Sequence, residues 1–402
     1  MNRTDTGANL PALRSHNTAL VLNLLRTAGE AGISRLELAE RTALTPQAVS
    51  KIVGRLRAEG LAAGAGHRAS TGGKPRTVLR LVPSAAHAVG LHLDRDELTA
   101  VLVDLAGTVV AARRAPLDLG AGADAVESAA VAEVRALLGE GAYGVGECGE
   151  GAYGLGERAP GPGAVLGVGV AAPGPLDHRL GVLHRVTGFP QWDGHPLRDR
   201  LADRLGLPVV LDKDTNAAAL GLALAGAGDS FAYLHLGTGL GAGLVLGGAL
   251  YRGPRTGAGE FGHQVVQLDG PPCTCGGRGC VEALCLAAVA RGDLAGAARV
   301  LGVGAAGLVG LLDIDRVLIG GRVVAADEEL FVRGVAAVLA ERPGTEVPVG
   351  AVPGGAVPGG AAAPPRGGGA SSGGGVVAGP IAAHVAEGAA QLVVAPLFGH
   401  PA

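Results

Sequence analysis

The sequence predicts an α/β protein in which a small winged helix-turn-helix head precedes two α/β lobes facing a cleft. Three observations carry this expectation. Near the amino terminus, two short helical patterns joined by a tight turn are followed by a basic hairpin. From Ala88 onward a strand meander passes into strands alternating with helices, and the progression occurs twice. Charge divides the chain at the same place, with 12 Lys or Arg against 5 Asp or Glu in residues 1–85 and 21 against 31 in the remainder. A basic module on an acidic body suits a head that meets a polyanion.

With 402 residues, 48% hydrophobic and 17% charged, the chain is too apolar to be mostly disordered and long enough for two or three domains. Only 2% are aromatic, so the core must be Ala, Val and Leu, and a large aromatic binding platform is excluded. Three of the five cysteines fall between residues 273 and 280, which is no disulfide framework, and Met1–Asn17 lacks a signal-peptide core. A reducing cytoplasm is the expected setting. Apolar runs such as Val300–Leu312 are short of the roughly 18 residues a bilayer requires, so no membrane span is expected.

In the head (1–84), Leu20, Val21, Leu24 and Leu25 form a helical stripe that Gly29 ends. Ser34 with Glu37 is a capping-box pattern opening a helix through Arg41 that buries Leu36, Leu38 or Ala39. Thr45 caps a third helix with Pro46 at its first position, and Val49, Ile52, Val53 and Leu56 supply its inner stripe. Its outer face carries Gln47, Ser50, Lys51 and Arg55, the expected contacts to DNA bases or nearby phosphates. A wing follows, from Leu61 through the basic turn to Val82, in which Arg68, Lys74 and Arg76 are expected to touch the DNA backbone or minor groove. The bland alternative is a three-helix interaction domain with no nucleic-acid partner.

In the body (85–342), Ala88–Leu93, Leu98–Leu105 and Thr108–Ala112 read as an antiparallel meander, and Ala125–Leu138 as a helix. Glu140–Glu147 is repeated as Glu150–Glu157 in a glycine-rich stretch (140–163) read as a flexible surface insertion. Val165–Ala171 is a buried strand, Leu197–Leu205 a helix, Val209–Leu211 a strand running into Asp214, and Ala217–Ala225 a helix. Phe231–Leu236 and Gly241–Leu246 are strands around a turn. The last segment (343–402) is rich in Gly, Pro and Ala until Pro380 and is expected to be a mobile tail.

The strongest chemical signal is His263 with Cys273, Cys275 and Cys280, three thiolates and an imidazole that suit tetrahedral Zn²⁺. Four protein ligands leave no place for an activated water, so a structural zinc loop is favoured over a catalytic ion, with reduced, unmetallated thiols the remaining possibility. Cys285 reads as a buried small hydrophobe. Gly237, Thr238, Gly239 and Gly241 lie between two strands, a hairpin whose N–H groups and hydroxyl could hold phosphate. Glu260 and Glu282 flank the zinc loop, and Asp214 sits at a strand end. Such acceptors beside a histidine suit a polyol.

Gly259-Glu-Phe-Gly-His263 followed by Cys273-x-Cys-Gly-x-x-Gly-Cys-x-Glu282, with Leu234–Gly243, Leu250–Gly253 and Pro208–Leu220, resembles the ROK family of sugar kinases and sugar-responsive repressors. Arg14-Ser-His-Asn17 and the Thr71–Pro75 wing are similar to its repressor branch. The resemblance implies a winged helix-turn-helix followed by two ribonuclease-H-like (actin-like) lobes with a structural zinc loop. It also implies sugar contacts at Asp214, Glu260, His263 and Glu282, with Asp214 the catalytic base wherever kinase activity is retained. Three features depart from the family. Asp94–Thr99 lacks the glycines of the kinase ATP loop and adds acidic groups that repel a triphosphate, which argues against ATP as a cofactor. Lys213 stands where an Asn is usual, and Glu282 is followed so soon by Leu312–Gly321 that the second lobe is expected to be shortened. The leading expectation is a repressor that binds operator DNA as a homodimer or higher oligomer and responds to a sugar or sugar derivative. The alternatives are a ROK sugar kinase with a DNA-binding head and a degenerate, constitutive DNA binder.

Overall fold

Side-chain caps set the ends of the head's helices. In the computed structural model, which describes residues 10–68, 76–139, 163–352 and 385–400, helix α1 spans Leu10–Ala28. Strand β1 (Ile33–Ser34) enters helix α2 (Arg35–Thr42) through the expected capping box. There the Glu37 N–H donates to Ser34 Oγ at 3.3 Å and the Ser34 N–H to Glu37 Oε2 at 2.8 Å. Leu38 and Ala39 are buried, whereas Leu36 faces outward. Helix α3 (Pro46–Ala58) starts from Thr45, whose side chain accepts from the Ala48 N–H, and buries Val49, Val53 and Leu56. Strands β2 (Ala62–Arg68) and β3 (Arg76–Leu81) form the wing hairpin, and β1 joins β3 to complete a sheet of order β1-β3-β2. Two residues are too short a strand to leave a period in the sequence.

The meander expected from Ala88 is present as β4 (Ala86–Leu93), β5 (Glu97–Asp104) and β6 (Val109–Pro116). After helix α4 (Ala123–Leu138), strand β7 (Ala164–Ala172) lies parallel to β4. A short hairpin of β8 (Leu176–Asp177) and β9 (Val182–Leu183) and helix α5 (Leu197–Leu205) lead to β10 (Val209–Lys213), parallel to β7. Helix α6 (Asp214–Leu224) springs directly from β10, three residues ahead of the expected Ala217 start, so Asp214 is its first residue.

The second lobe repeats the plan. Strands β11 (Phe231–Leu236), β12 (Leu240–Leu246) and β13 (Ala249–Leu250) form the meander. Helices α7 (Val281–Ala290) and α8 (Leu294–Leu312), strand β14 (Arg316–Gly320), helix α9 (Glu328–Ala340) and strand β15 (Val349–Ala351) follow. The two sheets, β10-β7-β4-β5-β6 and β13-β12-β11-β14-β15, have the same order and the same mix of antiparallel and parallel pairs. This is the duplicated ribonuclease-H-like (actin-like) arrangement. Helix α8 is long and apolar enough by composition to cross a membrane, but its Ala297, Ala298, Leu301 and Ala305 pack with Phe331 and Val335 of α9 in the lobe's core.

The second-lobe sheet has five strands and α9 covers it, while only the rest of α7 and α8 stand between Glu282 and β14, the short interval already read from the sequence. One expectation is corrected: where it is described, the end of the chain is not a mobile tail, because residues 385–400 form helix α10 (Val385–Val394) and a closing turn packed into the core. Residues 353–384 and the 140–162 repeat lie outside the described residues.

Helix α10 packs on β4, β7 and α6. Glycine makes this possible: a Cβ at Gly90 would overlap the Ala386 carbonyl, one at Gly169 the Ala389 carbonyl, and one at Gly388 the Ala217 carbonyl. Helix and sheet backbones therefore touch with no side chain between them, as a core poor in aromatics requires. The same helix extends the head's core, in which Val21, Leu22 and Leu25 of α1 join Val101, Val103, Ala386, Ala390, Val394 and Phe398. Arg26 lies over the Phe398 ring, 4.9 Å from its centroid. Head, first lobe and α10 thus share one hydrophobic core.

Candidate ligand cleft and metal centre

Strand ends and loops bring four carboxylates to one cleft. Asp94 closes β4, Asp214 opens α6, Glu260 follows β13 and Glu282 sits in the first turn of α7. With His263 they line one solvent-open cleft. Asp214, Glu260, His263 and Glu282, singled out from the sequence, therefore share one space. Thr238, Gly239 and Gly241 line it too. Gly237 is not among the lining residues, and its N–H donates to the Gly239 carbonyl at 2.9 Å within the turn.

Each carboxylate has a different environment. Lys213, whose side chain is only 3% exposed, donates to Glu260 Oε1 at 3.0 Å and to the Ala258 carbonyl. Glu282 Oε2 accepts from the Leu240 N–H at 2.8 Å, fixing the hairpin turn to α7. Asp212, buried under the cleft, accepts from Arg252 Nε at 2.6 Å, Asn216 Nδ2 at 2.8 Å and the Lys213 N–H at 2.7 Å, so the loop carrying Glu260 is anchored to the start of α6. Arg322, just after β14, reaches across the lobes to Asp94 Oδ2 at 2.7 Å and to both oxygens of Asp96 at 2.7 and 2.8 Å. Its hydrogen bonds hold Asp96 below the usual carboxylate range. Burial opposes ionisation of Asp94, but His92, the Arg95 N–H and Arg322 together bring it below that range as well. The acidic β4–β5 turn is thus neutralised from the opposite lobe.

Asp214 goes the other way. Burial pushes it up to about 7, only partly opposed by the Thr215 N–H that donates to its Oδ1 at 2.6 Å, and nearby Asp94 and Glu260 add to the rise. Near neutrality it both donates and accepts, which suits a hydroxyl-rich ligand. Because its folded pKa lies above the ordinary 3.8, the folded state holds this proton more tightly than the unfolded chain, and the associated stability is lost as pH rises from about 4 through 7. Thermal midpoints of the ligand-free protein are expected to fall relative to Asp214→Asn across that window. A constant difference between the two proteins from pH 4.5 to 7.5 would show an ordinary carboxylate. His235 also lines the cleft, half-buried with Nδ1 2.9 Å from the Tyr233 hydroxyl, and desolvation lowers its pKa.

The four expected metal ligands also converge. His263, Cys273, Cys275 and Cys280 place one ligand atom each within 4.8 Å of one another, with Cys275 Sγ–Cys280 Sγ at 3.8 Å and Cys273 Sγ–His263 Nδ1 at 3.7 Å. A tetrahedron with bonds of about 2.3 Å has edges of about 3.8 Å, so the spacing fits Zn²⁺. The Gly277 N–H points to Cys275 Sγ at 3.4 Å, the kind of donor that steadies a thiolate. Cys285 is not one of the cluster and is buried in the second-lobe core, its thiol 3.5 Å from the Ala297 carbonyl.

On the head, Gln47, Ser50, Lys51 and Arg55 are all exposed along α3. Arg55 is also tied into the protein, by Thr18 Oγ1 and by an ion pair with Glu59 at 3.7 Å. Arg68 and Arg76 are register partners in the wing, their side chains lying outside the described residues together with Lys74. Sequence reasoning did not foresee Arg95 in the cleft or Arg322 across it. Arg95 lies in the Asp94–Thr99 turn that was read for its acids alone, and the pairing of Arg322 with Asp94 and Asp96 joins positions more than 220 residues apart.

Residues 157–291 match the ROK family and residues 16–62 a winged helix-turn-helix DNA-binding family. The xylose repressor of Bacillus spizizenii is 27% identical over 254 residues, 62% of this chain and 61% of the relative. The glucokinase of Thermotoga maritima is 44% identical over 128 residues, 31% of this chain and 40% of the relative. The chain thus spans less than two thirds of either. A crystal structure of a ROK family transcriptional regulator, a homologue of the E. coli MLC protein, superposes with a TM-score of 0.66 at 21% identity, covering 84% of this chain and 92% of that one. That likeness is one of fold.

Proposed function

For a chain that joins a winged helix-turn-helix segment to a ROK-family domain, we infer a transcriptional repressor that binds operator DNA as a homodimer or higher oligomer and responds to a sugar or sugar derivative in the cleft. The observation that carries this reading is α10, which packs on α6, the helix that begins at Asp214, and whose core continues into α1 of the head. A ligand that favours one lobe arrangement then biases the seating of the head, and by linkage DNA shifts ligand affinity by the same factor. The thiols at 273, 275 and 280 suit a reducing cytoplasm, and zinc held by them and His263 would brace the loop between Glu260 and Glu282.

The test is binding of the purified full-length protein to an operator obtained by in vitro selection, with and without candidate sugars and across a salt series. Absence of sequence-specific binding ends the reading. Lys51→Ala is expected to weaken binding about tenfold and to lower the slope of log affinity against log salt by about one. An unchanged slope would place Lys51 off the phosphates.

The second reading, a sugar kinase with Asp214 as general base, is favoured by the position of that carboxylate. Against it stands the β4–β5 turn, where Arg322 binds two aspartates rather than leaving room for nucleotide phosphates. Sugar-dependent ATP consumption abolished by Asp214→Asn would establish the kinase.

A further inference from the structure

Three consecutive residues of the first lobe are gripped by the second. Asp94 Oδ2 accepts from Arg322 Nη2 at 2.7 Å, and both oxygens of Asp96 accept from the same guanidinium at 2.7 and 2.8 Å. From the other side, the Thr238 hydroxyl donates to Asp94 Oδ1 at 3.4 Å. Arg95 Nη2 and Glu282 Oε2 lie 3.6 and 3.1 Å from where a Cβ of Gly239 would stand, so opposite charges of the two lobes gather beside the hairpin. Both halves of this contact are built in advance. The β4–β5 turn is braced within its own lobe, where the Arg95 and Asp96 carbonyls accept from the Leu119 and Leu117 N–H groups at 3.0 Å each. Arg322 leaves a turn at Gly321, whose φ of +102° sets it against the Leu236 backbone where no Cβ would fit.

The other ion pairs between the lobes are of a different kind. Asp212, its side chain 1% exposed, takes Arg252, and the buried Lys213 takes Glu260. The side chains of Arg322 and Asp96, in contrast, are 46% and 59% exposed. Exposed pairs are weak and screened by salt, whereas breaking a buried one strands a charge away from water. The buried pairs suit a hinge, and the exposed ones a contact that opens and closes.

We propose that the β4–β5 turn and Arg322 form a reversible electrostatic latch, which holds the lobes together at that end of the cleft and on release lets them part about the buried Asp212–Arg252 and Lys213–Glu260 pairs. The bidentate Arg322–Asp96 geometry fixes one lobe spacing, and its exposure allows release without unfolding either lobe. Helix α6 starts beside the buried pairs and packs on α10, so movement about them reaches the helix that shares a core with α1 of the head. The latch goes beyond the repressor reading and does not depend on what the cleft binds.

Hydrogen exchange of the purified full-length protein, followed by mass spectrometry on peptides covering 94–99 and 237–241, tests the latch together with small-angle X-ray scattering; neither readout needs a ligand or DNA. Arg322→Gln is expected to speed exchange in both peptides at least about tenfold and to enlarge the radius of gyration. Arg322→Asp combined with Asp96→Arg should recover part of the protection that Arg322→Gln loses. Wild-type protein taken from about 0.05 to 1 M salt should move toward the Arg322→Gln values. Arg333→Gln, which breaks an exposed pair with Glu329 inside α9, should change neither readout. Unchanged exchange and radius in Arg322→Gln, or a wild type indifferent to salt, overturn the latch. So does faster exchange with the radius unmoved, which is a turn loosened in place. Faster exchange that spreads into the α8 core around Leu301 overturns it too, because Arg322 then supports the second lobe alone.

Discussion

Gly90→Ala is expected to lower the unfolding free energy by about 3 kcal/mol or more, at the upper end of overpacking effects. Gly169→Ala and Gly388→Ala should match it. In each case the added methyl would occupy the space of a backbone carbonyl, of Ala386, Ala389 and Ala217 respectively. A carbonyl in a helix has no rotamer by which to yield, so α10 must lift from the sheet or from α6, and the apolar residues it covers become exposed. Gly310→Ala is the control. Gly310 is an exposed residue within α8 with open space where its Cβ would stand, and alanine there should raise stability by about 0.5–1 kcal/mol through helix propensity. Denaturant unfolding of the four variants measures the contrast. Mild losses at all three buried sites would mean that α10 is seated more loosely than its packing indicates. Operator binding should fall with Gly388→Ala, because the displaced helix also underlies α1.

Chelation is expected to have the next largest effect. Purified protein should carry about one zinc per chain, and Cys280→Ser should remove it, since three protein ligands hold the ion far less tightly than four. Loss of the ion frees the segment from His263 to Cys280, and with it the positions of Glu260 and Glu282, which flank that segment and line the cleft. The thermal midpoint should drop by about 10 °C on treatment with a strong chelator and recover on adding zinc. Metal analysis showing no zinc in either protein, with the midpoint unmoved by chelator, would leave the cluster as four neighbouring side chains held by the loop alone.

Much of this was legible in the chain because short-range chemistry dictates it. Ser34 and Glu37 announce α2, Thr45-Pro46 announces α3, and the spacing of Cys273, Cys275 and Cys280 announces a ligand set whatever surrounds it. The strands of both meanders were visible in apolar runs between turns. What escaped depends on contacts between distant residues. Helix α10 follows directly on low-complexity sequence and carries a glycine at its fourth position, because Gly388 serves packing against Ala217 and Gly221 rather than helix propensity. Lys213 was recognised as unusual, but its capture by Glu260 requires the loop after β13 to fold back on β10. The acidic Asp94–Asp96 turn was read as repelling phosphates, and nothing near it in sequence could indicate that an arginine of the other lobe supplies its counter-charge.

The late position of α10 also sets the order of biosynthesis. Residues 21–25 leave the ribosome early, yet the surface on which they settle includes Ala386, Ala390, Val394 and Phe398, made some 360 residues afterwards. A nascent chain can fold its head's local elements and the first-lobe strands as they emerge, but their shared core stays unroofed until that last segment is released. In the repressor reading, a head seated for operator binding is therefore expected only once synthesis has passed α10, and a message cut short upstream would yield a head without its seat.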